Sequence, residues 1–297
     1  MYKRFYVRGE IMKTNEINIR DPYVLVDNGH YYLYGTRSLS TWGKMDGFDV
    51  YVSTDLKNWA GPTEFFHRPA GFWADQNFWA PECYHVGNEY RLITTLGDGH
   101  EKSINLLTAA SPVGPFTYQG RLTKQGDNCI DGTIYRDKDQ SYLVYSHALA
   151  PHNEQIMNVM EALPLRNDWR QASGEAKVLF TPDQAPWVKA LHDEKVFGVK
   201  GNVYLTDGPS LINQADGSLL MLWSSIGEHG YTVSVAKSDN GNLTGKWHHF
   251  SKPWLKNGGH GMPFTTLDGH KQYVIHAPND FTKERPCFMA LDLSSYQ

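Results

Sequence analysis

Four side chains able to move protons recur at matched places in this chain. Asp21, Asp131, Asp207 and His260 each open a similar stretch of sequence, and Ala80 opens a fifth. Three carboxylates brought into one confined space cannot all ionise easily, so at least one would keep its proton near neutral pH. A protonated carboxyl facing an ionised one is the pair that cleavage of a glycosidic bond requires. One gives a proton to the leaving oxygen while the other takes a proton from the attacking water. An Asp before Pro or Gly also caps turns, but three acids in five matched positions favour a shared site over three separate turns. Rings that would stack on sugar faces lie nearby in sequence, at Trp42, Trp73, Phe78 and Trp79, with Trp187 and Trp223 further on. Any one of them alone reads equally well as core.

What must position the acids is a repeat. Each copy has an opening residue, a first strand, a tight turn, an aromatic second strand and a third strand. The first copy runs from Asp21-Pro22 through Tyr23-Val24-Leu25-Val26, turns at Asn28-Gly29 and returns along Tyr31-Tyr32-Leu33-Tyr34. The others turn at Gly87-Asn88, at Asp137 to Gln140, at Asp216-Gly217 and at Asp268-Gly269. Asn-Gly and Asp-Gly between apolar runs are strong hairpin signals because both residues tolerate positive φ. The opening residue precedes the second strand by 10 positions in three copies (21→31, 80→90, 131→141) and by 11 in two (207→218, 260→271). Third strands follow at Asp49–Val52, Ile104–Leu107, Ile156–Val159, Thr232–Val235 and Phe288–Leu291. Trp59, Phe116, Trp169 and Trp247 mark an outer strand or its cap. Five such units, none able to bury both faces alone, predict an all-β, five-bladed β-propeller whose first strands point their opening residues into a central channel. One domain covers 1–297, with an insertion near Thr181 to Gly201 beside the site.

Composition agrees with that architecture. There are 27 Gly and 15 Pro, 13% aromatic residues and only 20% charged ones, which excludes a coiled coil, a helical repeat and a disordered chain. A net charge of −4 excludes a basic nucleic-acid or membrane-surface binder. No apolar run is long enough to span a bilayer. The first ten residues are basic without an apolar segment, which predicts no signal peptide. Cys83, Cys129 and Cys287 are odd in number and widely spaced, so free thiols and a cytoplasmic location are expected. Oligomeric state is open.

The stretches Ile19-Arg20-Asp21-Pro22-Tyr23-Val24, Phe78-Trp79-Ala80-Pro81-Glu82, Ile130-Asp131-Gly132-Thr133-Ile134-Tyr135 and Gly259-His260-Gly261-Met262 resemble glycoside hydrolase family 43, over roughly Asn18 to Leu293. The resemblance implies a five-bladed propeller and inverting chemistry on arabinosides and xylosides. It implies that Asp21 is the general base, that Asp131 orients the acid and raises its pKa, and that Trp79 lines the sugar pocket. His260 would face the channel centre, where several relatives hold a calcium or other ion. One departure concerns the acid, usually a Glu before Gly-Pro or Ala-Pro. Here the stretch reads Thr206-Asp207-Gly208-Pro209. Asp207 is then the acid, with its carboxyl about 1.5 Å further back, while inverting enzymes hold their two carboxyls roughly 6.5–9.5 Å apart. Glu82, Glu154 and Glu228 stand in reserve.

The expected activity is release of terminal pentoses by an α-L-arabinofuranosidase acting on small oligosaccharides. β-Xylosidase and endo-arabinanase are the near alternatives. A non-catalytic carbohydrate-binding propeller is the rival of another class, and the short Asp207 is its best support. A protein-interaction propeller lacks its Trp-Asp dipeptide here. Substrate contacts are expected from Trp73, Phe78, Trp79, His260 and Arg285. No cofactor is required. His260 is the one metal ligand expected, for a structural calcium in the channel. His147 and His276, each ending a second strand, are expected to approach that channel, whereas the adjacent His248-His249 suits neither a strand face nor a zinc site.

Overall fold

Asn28 (φ 47°) and Gly29 (φ 75°) form the left-handed pair of a tight turn and join strands Ile19–Asp27 and His30–Arg37. The computed structural model describes residues 10–296, and the N-terminal stretch read above for a leader falls largely outside them. The strands continue as antiparallel meanders. The first adds Gly47–Ser53 and Asn58–His67, with Glu10–Lys13 on its outer edge. The second runs Gln76–Val86, Glu89–Gly97, Lys102–Ala109 and Thr117–Arg121. The third runs Asn128–Asp137, Gln140–Ala148, Ile156–Leu165 and Lys177–Phe180, and joins the second through a parallel bridge from Asn128 to Lys102. The fourth runs Asp207–Asn213, Leu219–Gly227, Gly230–Ser238 and Trp247–His249. The fifth has Gly259–Thr265, Lys271–Ala277 and Arg285–Ala290. Trp59 and Trp247 lie in outer strands, and Phe116 directly precedes one. Trp169 instead sits in a turn, its indole N–H on Ser141 Oγ at 3.0 Å. The insertion carries helix Glu194–Phe197, the one α-helix among the described residues.

Apolar side chains fill the seams between successive meanders. Phe48 and Phe65 meet Phe78 and Phe116; Ile93 and Leu106 meet Leu143 and Leu163. Val144 and Met160 meet Met221 and Trp223; Leu220 and Val233 meet Tyr273 and Ile275. Leu33 and Trp59 meet Phe264 and Val274, so the fifth meander packs back onto the first. Each large side chain buried here contributes on the order of 1.5–3 kcal/mol. Polar contacts reinforce that last seam. The fully buried Glu284 accepts from Arg20 Nη1 at 2.7 Å and Ser38 Oγ at 2.6 Å, and Asn18 Nδ2 donates to the Thr282 and Glu284 carbonyls at 3.0 and 2.8 Å.

Every first strand is interrupted at the same place. Register slips between Arg20 and Tyr23, Trp79 and Glu82, Ile130 and Thr133, Asp207 and Ser210, and Gly259 and Met262. The residue opening each bulge has positive φ: Asp21 at 51°, Ala80 at 47°, Asp131 at 61°, Gly208 at 47° and His260 at 44°. This corrects the alignment read from sequence. The fourth opening residue is Gly208, and Asp207 instead shares its position with Arg20 and Trp79. A Cβ on Gly208 would stand 2.7 Å from Cγ of His260, so no side chain fits there.

Candidate active site

The left-handed backbone at the opening residues turns their N–H groups toward the preceding meander. Ala80 donates to Thr36 Oγ1 at 2.9 Å, Asp131 to Thr95 Oγ1 at 3.0 Å, and His260 to Ser224 Oγ at 2.9 Å. Asp21 donates to His276 Nδ1 at 3.2 Å and so closes the circle from fifth meander to first. The acceptors are equivalent, since each pairs with the residue before its own bulge: Thr36 with Arg20, Thr95 with Trp79, Ser224 with Asp207, His276 with Gly259. The Gly208 N–H departs from the pattern and goes to Asp131 Oδ2 at 3.1 Å. Left-handed backbone costs roughly 1–2 kcal/mol per non-glycine residue. Strain repeated at four non-glycine positions around one centre points to a functional constraint.

Asp21, Asp131 and His260 meet at that centre. His260 Nδ1 lies 3.4 Å from Asp21 Oδ1 and 3.3 Å from Asp131 Oδ2. Asp21 Oδ2 accepts from Thr36 Oγ1 at 2.7 Å. Burial alone would push the Asp21 carboxyl up, but His260, Arg20, His276 and the Thr36 hydroxyl outweigh it and hold the group below its ordinary value. Asp131 goes the other way, to about 8, through burial and the repulsion of Asp21. Asp207 is raised to about 7 by burial and by Asp131, while Tyr231 Oη donates to its Oδ2 at 3.1 Å. The Tyr231 hydroxyl is itself pushed well up by burial and by Asp207, so it remains a proton donor. His276 accepts from Asp21 on Nδ1, so its proton sits on Nε2, 3.1 Å from Asn279 Oδ1, and burial lowers the ring to about 4. It is therefore a neutral support of Asp21. One ionised carboxyl thus faces two that favour their protons, the division of labour an acid and a base need.

The aromatic expectations divide by strand parity. Trp79, directly before Ala80, is half-buried, with its indole N–H on the Thr41 carbonyl at 2.8 Å and its ring edge-on to Trp42 at 5.4 Å. Phe78, one residue earlier, faces the opposite way, fully buried against Phe48 and Phe66, and so belongs to the core and not to a substrate surface. Trp73 is covered by the Arg121 guanidinium, 3.9 Å from its ring centre. Trp42, 63% exposed, carries Arg20 at 5.5 Å. Arg285 is also corrected. Its guanidinium is held by the carbonyls of Asn15, Thr282 and Glu284, and the cation beside the acids is Arg20. Arg20 and Tyr231 escaped the sequence reading. Arg20 carried one signal, its place directly before Asp21, whereas Tyr231 looks like any strand tyrosine. Glu154 and Glu228 are exposed.

Glu82 lines a space of about 10 Å³ with Asp21, Tyr23, Ala80, His260 and Met262. Burial raises its carboxyl to about 7, and Tyr84 Oη donates to it. That space holds one water or one small ion. Calcium takes six to eight oxygens; here Asp21 and Glu82 would supply carboxylate oxygens and His260 one nitrogen, and water would have to supply the rest. His147 lies elsewhere, on Glu161.

The profile of glycosyl hydrolases family 43 matches residues 15–289. No curated relative matches the chain. A solved endo-arabinase from Bacteroides thetaiotaomicron is 31% identical, with a TM-score of 0.84 over 95% of this chain and 97% of its own. A thermostable family-43 glycoside hydrolase is 22% identical, with a TM-score of 0.76 over 99% of this chain and 93% of its own. An endo-1,4-beta-xylanase, also from Bacteroides thetaiotaomicron, is 24% identical, with a TM-score of 0.73 over 96% and 94%.

Proposed function

Because the chain belongs to glycosyl hydrolases family 43, we propose that it hydrolyses α-L-arabinofuranosyl linkages with inversion at the anomeric carbon. The observation that carries this reading is the convergence of Asp21, Asp131 and Asp207 around His260, with Asp21 held ionised and the other two biased toward protonation. We read the five meanders, closed through the Leu33–Phe264 seam, as the blades of a single five-bladed propeller. The likeness to the endo-arabinase supports an arabinan chain as substrate and internal bonds as the point of attack. The exposed Trp42 ring next to Trp79 extends an aromatic face outward from the acids, which suits more than one sugar.

The mechanism is one displacement. Asp21 removes a proton from the attacking water, and Asp207 gives its proton to the departing oxygen. Asp131, tied to the Gly208 N–H, holds its carboxyl beside the acid, and like-charge repulsion keeps a proton on the pair. Tyr231 orients the Asp207 carboxyl. Arg20, braced by Glu284, keeps Asp21 charged.

Linear arabinan and nitrophenyl arabinofuranoside test the reading together, with nitrophenyl xyloside as the competing substrate. A ladder of arabino-oligosaccharides whose first-formed ends show inverted configuration by proton NMR is expected. Arabinose as the sole product would replace internal cleavage by terminal release. Asp21→Asn and Asp207→Asn are each expected to lower kcat by about 100-fold or more. Unchanged turnover in Asp21→Asn would sink the assignment of the base.

A further inference from the structure

A second cluster of chemically able side chains lies off this centre. Asp127, Cys129 and His147 bring a carboxylate oxygen, a thiol sulfur and a ring nitrogen within 4.8 Å of one another. Cys129 and His147 face each other across the first two strands of the third meander, an arrangement the ladder fixes through Asn128–Ala148 and Ile130–Ser146 on either side. On the next strand Glu161 places Oε2 at 3.1 Å from His147 Nδ1, and the same oxygen accepts from Tyr145 Oη at 2.7 Å. Nδ1 is thereby engaged, which leaves Nε2 as the free donor atom. A carboxylate on the far nitrogen of a ligating imidazole is the support that zinc-type sites use to fix ring orientation and raise basicity. Cys129 is fully buried, while Asp127 and His147 are half-buried and give access from solvent.

We propose that Asp127, Cys129 and His147 form a site for one borderline divalent transition metal of the zinc class, with Glu161 as the positioning residue for His147. The donor set selects the metal. Thiolate and imidazole suit zinc and its neighbours, whereas calcium and magnesium take oxygen. Three protein ligands leave a fourth tetrahedral position for water. Binding forms a sulfur–metal bond and releases the thiol proton to solvent, so uptake is accompanied by acidification. The other cysteines have no such company: among the described residues, the one further cluster of three potential ligands is the exposed Asp46, Glu64 and His67, which lacks sulfur. Cys129 lies on the strand Asn128–Asp137 that also carries Asp131, two residues before it.

Cobalt(II) titrated into the metal-free full chain reads the sulfur directly, through the near-ultraviolet charge-transfer band of a cobalt–thiolate bond and the intense visible bands of tetrahedral cobalt. One equivalent is expected to saturate both, and one equivalent of zinc to bleach them. Asp127→Asn and His147→Gln, at half-buried positions, are expected to weaken zinc binding by about tenfold or more in calorimetric titration, and Glu161→Gln by roughly tenfold. Cys129→Ser is expected to abolish the charge-transfer band; if that variant does not fold, the wild-type spectrum and the two half-buried variants decide the matter. Cobalt that binds without a thiolate band is adventitious and overturns the proposal, as does zinc affinity unchanged by Asp127→Asn and His147→Gln.

Discussion

Three aspartates of ordinary chemistry are driven apart by what each one touches. Asp21 is surrounded by Arg20, His260 and a donated hydroxyl, whereas Asp207 has Asp131 on one side and Tyr231 on the other. The rate profile this predicts is bell-shaped. Activity falls on the acid side only below the ordinary carboxylate range, where Asp21 gains a proton, and on the alkaline side near pH 7, where Asp207 loses one. Tyr231 identifies the alkaline limb. Its hydroxyl donates to Asp207 and so favours the ionised form. In Tyr231→Phe that help is gone, the Asp207 carboxyl climbs, and the limb of kcat/KM moves to higher pH by roughly half to one unit, the worth of one hydrogen bond. A limb that stays in place or moves down assigns it to another group. Asp21 and Asp131 were readable from sequence because each stands at a matched place in a repeat with strong local turn signals. Tyr231 was not, because its hydroxyl meets Asp207 only across two strands of a folded sheet, and nothing in the local pattern marks which strand tyrosine does so.

The bulge is the element that makes a site out of these residues. One extra residue in each first strand produces the left-handed turn that aims an N–H at the preceding meander and a side chain at the centre. Hairpins were legible because their turns demand Gly, Asn or Asp. The bulge was not, because Asp, Ala and His occupy it as readily as Gly, so the fourth copy was aligned one residue early. That one-residue correction changes the chemistry: an Asp at the fourth opening position would collide with His260, and the acid must come from the position before. Parity likewise explains why Phe78 is core and Trp79 is not. Gly208→Ala tests the packing. Both Gly208→Ala and Gly217→Ala place a methyl on left-handed backbone, at φ 47° and 84°; Gly217→Ala is expected to cost about 1–2 kcal/mol in denaturant midpoint measurements, and Gly208→Ala more, because its methyl would also lie 2.8 Å from the His260 Cα. Only at 208 does the methyl meet the His260 ring, whereas at 217 it meets nothing within 4 Å. Turnover is therefore expected to fall by an order of magnitude or more in Gly208→Ala and to stay intact in Gly217→Ala. Equal activity in the two would show that His260 need not sit between Asp21 and Asp131.

At the scale of the molecule, the first strands of the meanders bring buried acids together where Asp21, Asp131 and His260 meet, and stability carries the mark of it. Asp131, Asp207 and Glu82 are held above their unfolded values, to about 8, 7 and 7, chiefly by burial. A group raised in the folded state stabilises it fully below the unfolded pKa, near 4, and that contribution is lost as pH rises through the folded one. His276 and His249 are depressed to about 4, mainly by burial, so they act oppositely: their contribution is present above about 6.5 and lost as pH falls toward 4. Three acids against two imidazoles leave the acids ahead, so the thermal midpoint is expected to be higher at pH 5.5 than at pH 8, for a chain whose net charge of −4 would by itself give little slope. Glu82 offers the clean variant, because the mechanism assigns it no proton and Gln keeps an acceptor for Tyr84. Glu82→Gln is expected to raise the midpoint more at pH 8 than at pH 5.5, and so flatten the profile. A midpoint that instead rises from pH 5.5 to pH 8 in the wild type would mean the acids ionise in the folded protein without penalty, and the channel is wetter than its packing implies. If Glu82→Gln lowers the midpoint equally at both pH values, the carboxyl is a structural acceptor and not a group held neutral by burial.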